Sequence, residues 1–246
     1  MATESTNLIL ESLPAPLKAQ LLAHLQPVIL PIGTVLTSPG EQPRFAHFMT
    51  SGIAAVVTLM SNGAGAEVGL IGHEGLVEAV NLLGPTASPT TALIHSAGTA
   101  LRMPFSELKE RFAKHGPLFQ RVLECAQSNG FVLCQLAACN GLHQIEERLA
   151  RWLLMVCDRL ESNHFDLTQE FVAQMLGARR TSVTLAAGAL QRSGLIEYRR
   201  GHIHIVDRDG LERVACECYP IVRNLVANLY VRDTVPSLTG LKLATR

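Results

Sequence analysis

The chain has 246 residues, 48% of them hydrophobic, and its 21 basic residues balance its 21 acidic ones. That length supports one large or two ordinary domains with ample core, and the balanced charge gives a charged partner little long-range steering. No apolar run approaches the roughly 20 residues of a membrane span, and the start MATESTNLILESLPAP lacks the basic beginning and long apolar stretch of a secretory signal. Cytoplasm is the expected compartment, and no membrane partner is expected. The six cysteines (125, 134, 139, 157, 216, 218) fall within predicted helices, which argues against a disulfide framework.

In chain order, Leu17, Leu21, Leu22 and Leu25 predict a short amphipathic helix within residues 8–25, after Pro14 and Pro16. Seven short strands follow at 28–30, 34–36, 45–49, 53–60, 68–71, 92–94 and 99–102. Gly or Pro punctuates them at Gly33, Pro39, Gly40, Gly52, Asn62-Gly63, Gly72, Gly75, Pro89 and Gly98. This spacing predicts a small β-roll or barrel, with one helical insertion near 76–83 after the Gly72-His73-Glu74-Gly75 loop. A short helix at 106–114 leads out of it, and Gly116-Pro117 opens the next.

In that next helix Leu118, Val122, Cys125, Asn129, Val132, Leu136 and Cys139 recur at spacings of 4, 3, 4, 3, 4 and 3. A heptad seam with one central Asn commonly fixes the register of a parallel two-stranded coiled coil, so pairing with a second copy in a homodimer is expected. The alternative is a helix packed on its own roll through Phe119, Leu123 and Leu133 as well. Cys125 and Cys139 read as small apolar fillers of the seam, a redox switch between twin thiols being the sharper reading. After a hinge at Asn140-Gly141, Ile145, Leu149, Trp152, Val156 and Leu160 form the stripe of a connecting helix, with Glu146, Glu147, Arg148 and Arg151 as its solvated face.

The stretch that follows carries the most information. Val172, Ala173, Met175 and Leu176 share one helical face that stops at Gly177, and Val183, Ala187 and Leu190 share the face of a second helix from about 179 to 192. Two helices around a Gly turn fit a helix-turn-helix. With 183, 187 and 190 inward, Arg180, Thr181, Thr184 and Leu185 point outward at the end that enters a major groove. The fork of Arg180 suits guanine O6 and N7, and Thr181, Thr184 and Leu185 suit a thymine methyl. Thr168, Arg179 and Ser182 are expected on phosphate oxygens. Residues 195–198 and 202–206 predict two strands around Arg199, Arg200 and Gly201, a wing with two phosphate-binding arginines at its tip. From Thr168 to Arg208 six arginines (179, 180, 192, 199, 200, 208) face three acids (Glu170, Glu197, Asp207), a net of +3. Helical pairs with a Gly turn occur in many all-α proteins, so the wing and the arginines carry the DNA reading.

Beyond the wing, 211–230 predicts one amphipathic helix, and the residues from Val235 lack periodicity. His202, His204, Cys216 and Cys218 invite a zinc reading. Two cysteines two apart on a helix point in nearly opposite directions, however, so no metal site is expected.

The motif LTQEFVAQMLGARRTSV followed by LQRSGLIEYRRGHIHIVD resembles the Crp/Fnr family of bacterial transcription regulators. The order of helix, β-roll, long helix and winged helix extends that resemblance over roughly 14–208. It implies that Arg180 reads a guanine. Thr181 stands where Glu is common and Leu185 where some members have a second base-reading arginine, so a different half-site is expected. Arg179 stands where Ser usually caps the recognition helix, a poorer cap. In nucleotide-responsive members a Gly-Glu-Leu-Gly segment holds the ribose and an Arg-Ser pair the cyclic phosphate. The matching positions here are Gly72-His73-Glu74-Gly75 and Thr90-Thr91. A buried phosphate without that arginine loses its bidentate partner, so a cyclic mononucleotide is not expected. The N-terminal cysteine cluster of oxygen-sensing members is also missing, so no iron–sulfur centre is expected. His73, Glu74, Gly75, Thr90 and Thr91 form the candidate pocket for an unidentified small-molecule effector, a plain solvated loop being the alternative. His47 and His95 as haem ligands follow no spacing rule.

The fold class expected is α+β. A β-roll of the cyclic-nucleotide-binding-like jelly-roll type spans 1–115, a dimerisation helix 116–140, a winged helix-turn-helix 141–210, and a helix with tail 211–246. The expected function is a homodimeric, sequence-specific transcription regulator that binds duplex DNA, its own copy and RNA polymerase. No nucleophile elbow, phosphate loop or paired carboxylates point to an enzyme. The competing reading is a ligand-binding regulatory module whose winged helix docks protein.

Overall fold

The computed structural model describes residues 6–61, 64–84 and 87–231, so the Asn62-Gly63 turn and the tail from Val235 lie outside it. All seven expected strands form: β1 (Gln26–Leu30), β2 (Val35–Thr37), β3 (Phe45–Met49), β4 (Ile53–Leu59), β5 (Gly65–Ile71), β6 (Thr91–Ser96) and β7 (Gly98–Pro104). They make two antiparallel sheets, β1-β7-β3 and β2-β6-β4-β5. Leu30, Met49 and Ala100 from one sheet and Ala54, Ile71 and Ile94 from the other share a buried cluster, so alternation along each strand supplies the core. Gly52 (φ 72°) and Gly98 lie back to back where β3 turns into β4, and a Cβ on Gly98 would overlap the Ser51 carbonyl.

Two helical expectations around the roll need correcting. The N-terminal segment is two helices, α1 (Leu8–Glu11) and α2 (Ala15–Leu22), because Pro14 fixes an extended backbone between them. Asn7 caps α1 and also donates to the Met49 and Gly75 carbonyls at 2.9 and 2.8 Å, tying the helix to the roll. The insertion expected at 76–83 is a single 3-10 turn at Ala79–Leu82.

After α3 (Phe105–Phe112) come the long helix α4 (Pro117–Leu142) and α5 (Ile145–Leu160). The heptad seam expected between two copies faces its own chain. Leu118, Val122 and Cys125 belong to the roll's cluster with Phe48 and Leu76, Val132 and Leu136 join the cluster around Trp152, and Cys139 packs on Cys216 and Cys218. Asn129 is half-buried, with its amide 3.8 Å from Cys125 Sγ. Periodicity reports that a stripe is buried, not which body buries it. The expected hinge at Asn140-Gly141 is still helical, and the break falls at His143-Gln144. Gln144 and Glu147 close a capping box at the start of α5. Arg151 is not on a solvated face, and Arg148 is only half-exposed. Arg151 is buried with a guanidinium nitrogen 3.0 Å from Met155 Sδ, and Arg148 donates to Asn140 Oδ1 and the Leu176 carbonyl.

The helix-turn-helix is α6 (Gln169–Met175) and α7 (Arg180–Arg192), joined through Gly177 at φ 57°. The wing strands β9 (Ile196–Arg199) and β10 (His202–Ile205) gain a third, unexpected neighbour, β8 (His164–Asp166), in the order β8-β10-β9. The expected single helix at 211–230 is two, α8 (Arg208–Val214) and α9 (Cys218–Ala227), with Ala215 extended between them. Trp152 on α5 donates to Glu67 Oε2 on β5 at 2.8 Å, and the His95 ring lies edge-on to Trp152 and Phe171. The winged helix therefore rests on the four-stranded sheet. Burial pushes the Glu67 carboxyl up to about 7 against the Trp152 hydrogen bond, and lowers His95 to about 4. Among the described residues no helix is long and apolar enough to cross a membrane.

Candidate nucleic-acid interface, roll cavity and thiol cluster

The inward face of α7 is Val183, Ala186, Ala187 and Leu190, all buried against α5 and α6. That packing fixes what remains outside. Arg180, Thr181, Thr184 and Leu185 are exposed, Leu185 to 71%. The Thr184 hydroxyl lies 2.7 Å from Gln169 Oε1 and 2.9 Å from the Arg180 carbonyl, so its proton is already used and its methyl is the free surface. Arg179 at the N-cap makes no side-chain capping bond, the poorer cap its sequence position implies, and its guanidinium stays exposed. Ser182 is half-buried. Thr168 accepts from the Phe171 amide at 3.2 Å to cap α6, which leaves its hydroxyl proton available.

Arg199 and Arg200 stand exposed at the wing tip, where Arg200 (φ 49°) and Gly201 (φ 87°) make the tight turn between β9 and β10. Tyr198 donates from its hydroxyl to the Leu167 carbonyl at 2.8 Å and holds the wing to the start of α6. Among the described residues Arg179, Arg180, Arg192, Arg199 and Arg200 have no carboxylate partner. Arg208, the sixth arginine of the basic stretch, is spent inside the chain on Asp158 at 2.5 Å and Glu212 at 3.2 Å.

Within the roll, a cavity of about 220 Å³ opens between the four-stranded sheet, α4 and α9. Glu74, Gly75 and Thr90 line it as expected, whereas His73 and Thr91 do not. Two further polar groups in the lining stand out, neither of them visible from local sequence. Arg159 reaches in from α5 and pairs with Glu74 at 2.8 Å, and Thr37 presents a buried hydroxyl with no partner among the described residues. Glu74 uses up the only guanidinium that lines the described cavity. His47 and His95, weighed as haem ligands, are engaged separately, by Glu78 Oε1 and Ser96 Oγ, each at 2.8 Å.

The histidines and cysteines do not form the zinc set considered from sequence. His202 pairs with Asp166, and His204 stacks on His164 at 4.0 Å. The cysteines meet other residues: ligand atoms of Cys139, His143, Cys216 and Cys218 all lie within 4.8 Å of one another. Cys139 Sγ is 3.5 Å from Cys216 Sγ, and this contact is the main cause that draws the Cys139 thiol down to about 5. Two assumptions hid the cluster, Cys139 on a dimer seam and 216–218 in a continuous helix. Pro220, which suits only the first turn of a helix, signalled the break.

Residues 147–214 match the sequence profile of the Crp-like helix-turn-helix domain. No curated protein matches the sequence. Among solved structures, a Eubacterium rectale protein described as a transcriptional regulator of the Crp/Fnr family is 19% identical, with a TM-score of 0.67 over 83% of this chain and 95% of that one. FixK2 of Bradyrhizobium japonicum is 14% identical, with a TM-score of 0.67 over 78% and 98%. The c-di-GMP-responsive regulator CLP of Xanthomonas campestris is 16% identical, with a TM-score of 0.64 over 78% and 99%.

Proposed function

We propose, for a chain that is of the Crp/Fnr type by its helix-turn-helix domain and by its fold, a homodimeric regulator that reads duplex DNA with the start of α7. The observation that carries this reading is the set of exposed, unpaired arginines at one end of α7 and at the wing tip, on a chain whose total charge is zero. Arg180 would donate to a guanine edge while the Leu185 side chain and the Thr184 methyl cover an adjacent thymine. Thr168, Arg179, Ser182, Arg199 and Arg200 would hold phosphates and set the register.

The second copy is proposed on the face of α4 that its own chain leaves open. Leu123, Gln127, Gly130, Cys134, Ala137 and Gly141 follow one another at spacings of 4, 3, 4, 3 and 4. Phe131 and Leu142 beside them are 53% and 79% exposed. Small residues on that line let two helices approach closely. The roll cavity is the proposed effector site. Its cation is already paired with Glu74, which favours a ligand other than a cyclic phosphate and connects that ligand to α5 through Arg159. An effector that parts Glu74 from Arg159 would shift α5, and with it the separation of the two recognition helices.

Duplex fragments selected by the full-length protein, re-bound at rising salt, test the reading. A shared two-fold motif and affinity that falls steeply with salt are expected. Binding without sequence preference, or capture of a protein partner alone through α7, would favour the protein-docking alternative.

A further inference from the structure

The end of α4 and the link between α8 and α9 bring together four ligand groups that neither the DNA surface nor the cavity uses. Cys139 and His143 are one turn apart at the C-terminal end of α4 and so share a side. Cys216 and Cys218 flank Glu217 where Ala215 is extended and α9 has only begun, which lets both sulfurs turn the same way. Cys139, Cys216 and Cys218 are buried, and His143 is half-buried.

We infer that Cys139, His143, Cys216 and Cys218 hold one zinc ion that staples the end of the long helix to the C-terminal helix pair. A tetrahedral ion with metal–sulfur bonds of about 2.3 Å sets neighbouring sulfurs about 3.8 Å apart. The Cys139–Cys216 separation is 3.5 Å and the Cys218–His143 Nδ1 separation is 3.6 Å, so small adjustments admit a single ion at the centre. An iron–sulfur cluster interposes several iron and sulfide atoms between its cysteines and needs wider spacing.

The groups around the four fit the same purpose. His143 turns Nδ1 toward Cys218 and places Nε2 3.1 Å from Glu217 Oε2, the carboxylate–histidine arrangement that orients a zinc-bound imidazole. The Gln135 amide donates to Cys218 Sγ at 3.1 Å, a bond that strengthens when the sulfur is a thiolate. Three thiolates and a neutral imidazole around a dication leave one net negative charge, beside the buried Arg151. Binding releases the thiol protons and involves no redox step. Four protein ligands without an open position mark a structural ion rather than a catalytic one.

The site lies between elements that together hold the winged helix. Helices α8 and α9 pack on α5, and α9 also packs on α4. Holding α8–α9 to the end of α4 therefore fixes the platform from which α7 projects, whatever α7 binds.

The test uses full-length protein that is reduced, stripped with a chelator and titrated with zinc, with cobalt(II) as a spectroscopic substitute. One zinc per chain is expected, with a higher melting temperature and the intense visible bands of tetrahedral, thiolate-bound cobalt. Cys216→Ser should abolish tight binding, whereas Cys134→Ser, an exposed cysteine outside the cluster, should bind as the parent does. If Cys216→Ser fails to fold, Glu217→Gln and Gln135→Ala keep all four ligands and should weaken zinc by about 10- to 100-fold. Parent protein that takes up no zinc, or the same affinity in Cys216→Ser, would overturn the proposal. So would a Cys139–Cys216 disulfide in place of metal, or visible absorption from iron and sulfide.

Discussion

At the start of α7, Arg179, Arg180 and Thr181 are exposed and the two guanidinium groups lack a carboxylate among the described residues. At the end of α4, Cys139 and His143 turn inward onto Cys216 and Cys218. Both are helix ends rich in polar chemistry within the same half of the molecule. A guanidinium left in water without a partner costs the fold little and stays available to an outside ligand. Three buried thiols around an imidazole give the fold little unless something joins them. The first region is thus suited to recognition between molecules and the second to holding one molecule together. Substitutions should separate them, with binding lost without stability in the first and stability lost in the second.

The two faces of α4 offer the largest contrast. Phe131→Asp on the open face should split the proposed dimer and reduce DNA affinity by about 10²- to 10⁴-fold, since two half-sites would then bind independently. Sedimentation together with DNA titration measures both effects. A variant still dimeric at micromolar concentration would move the interface elsewhere. On the opposite face, Leu136→Ala should cost about 2–5 kcal/mol of folding stability in denaturant melts. Should the folded Leu136→Ala protein be monomeric instead, the seam would belong to the dimer after all.

Arg199→Ala at the wing tip should weaken every DNA sequence by a similar factor and lower the slope of log affinity against log salt by about one. A loss confined to one sequence would give Arg199 a base-reading role.

The smallest effect concerns the contact between the sheet and the winged helix. The folded Glu67 carboxyl is raised from 4.5 to about 7, so its contribution to stability falls as pH rises through that window. The folded His95 ring is lowered from 6.5 to about 4, so its contribution rises as pH climbs from about 4 to 6.5. The two oppose each other through most of the acidic range. Glu67→Gln keeps an acceptor for Trp152 and removes the falling arm, so the melting temperature of the variant should climb with pH up to about 6.5 and then level. A profile that matches the parent's would remove Glu67 from the balance.

How far each region was legible follows from the range of the contacts that make it. The helix-turn-helix could be read because Val183, Ala187 and Leu190 repeat at helical spacing and Gly177 breaks the chain at φ 57°, both local facts. The seven strands could be read from their punctuation. Strand β8 escaped because three residues, His164–Asp166, are too few to show alternation. The burial of Arg151 and the reach of Arg159 into the roll depend on which bodies α5 meets, and the stripe on α5 does not encode them. The thiol cluster joins positions more than 70 apart in sequence, which no spacing rule links, although Pro220 marked the helix break that makes it possible.

The proposed function stands or falls on Arg180 as a reader of a base. The measurement that meets it directly is the ratio of affinities for a selected operator and for random duplex at one salt concentration, in the parent and in Arg180→Ala. The ratio should drop by the equivalent of about 1–3 kcal/mol while the melting temperature stays put. Equal losses on both DNAs, leaving the ratio unchanged, would contradict it.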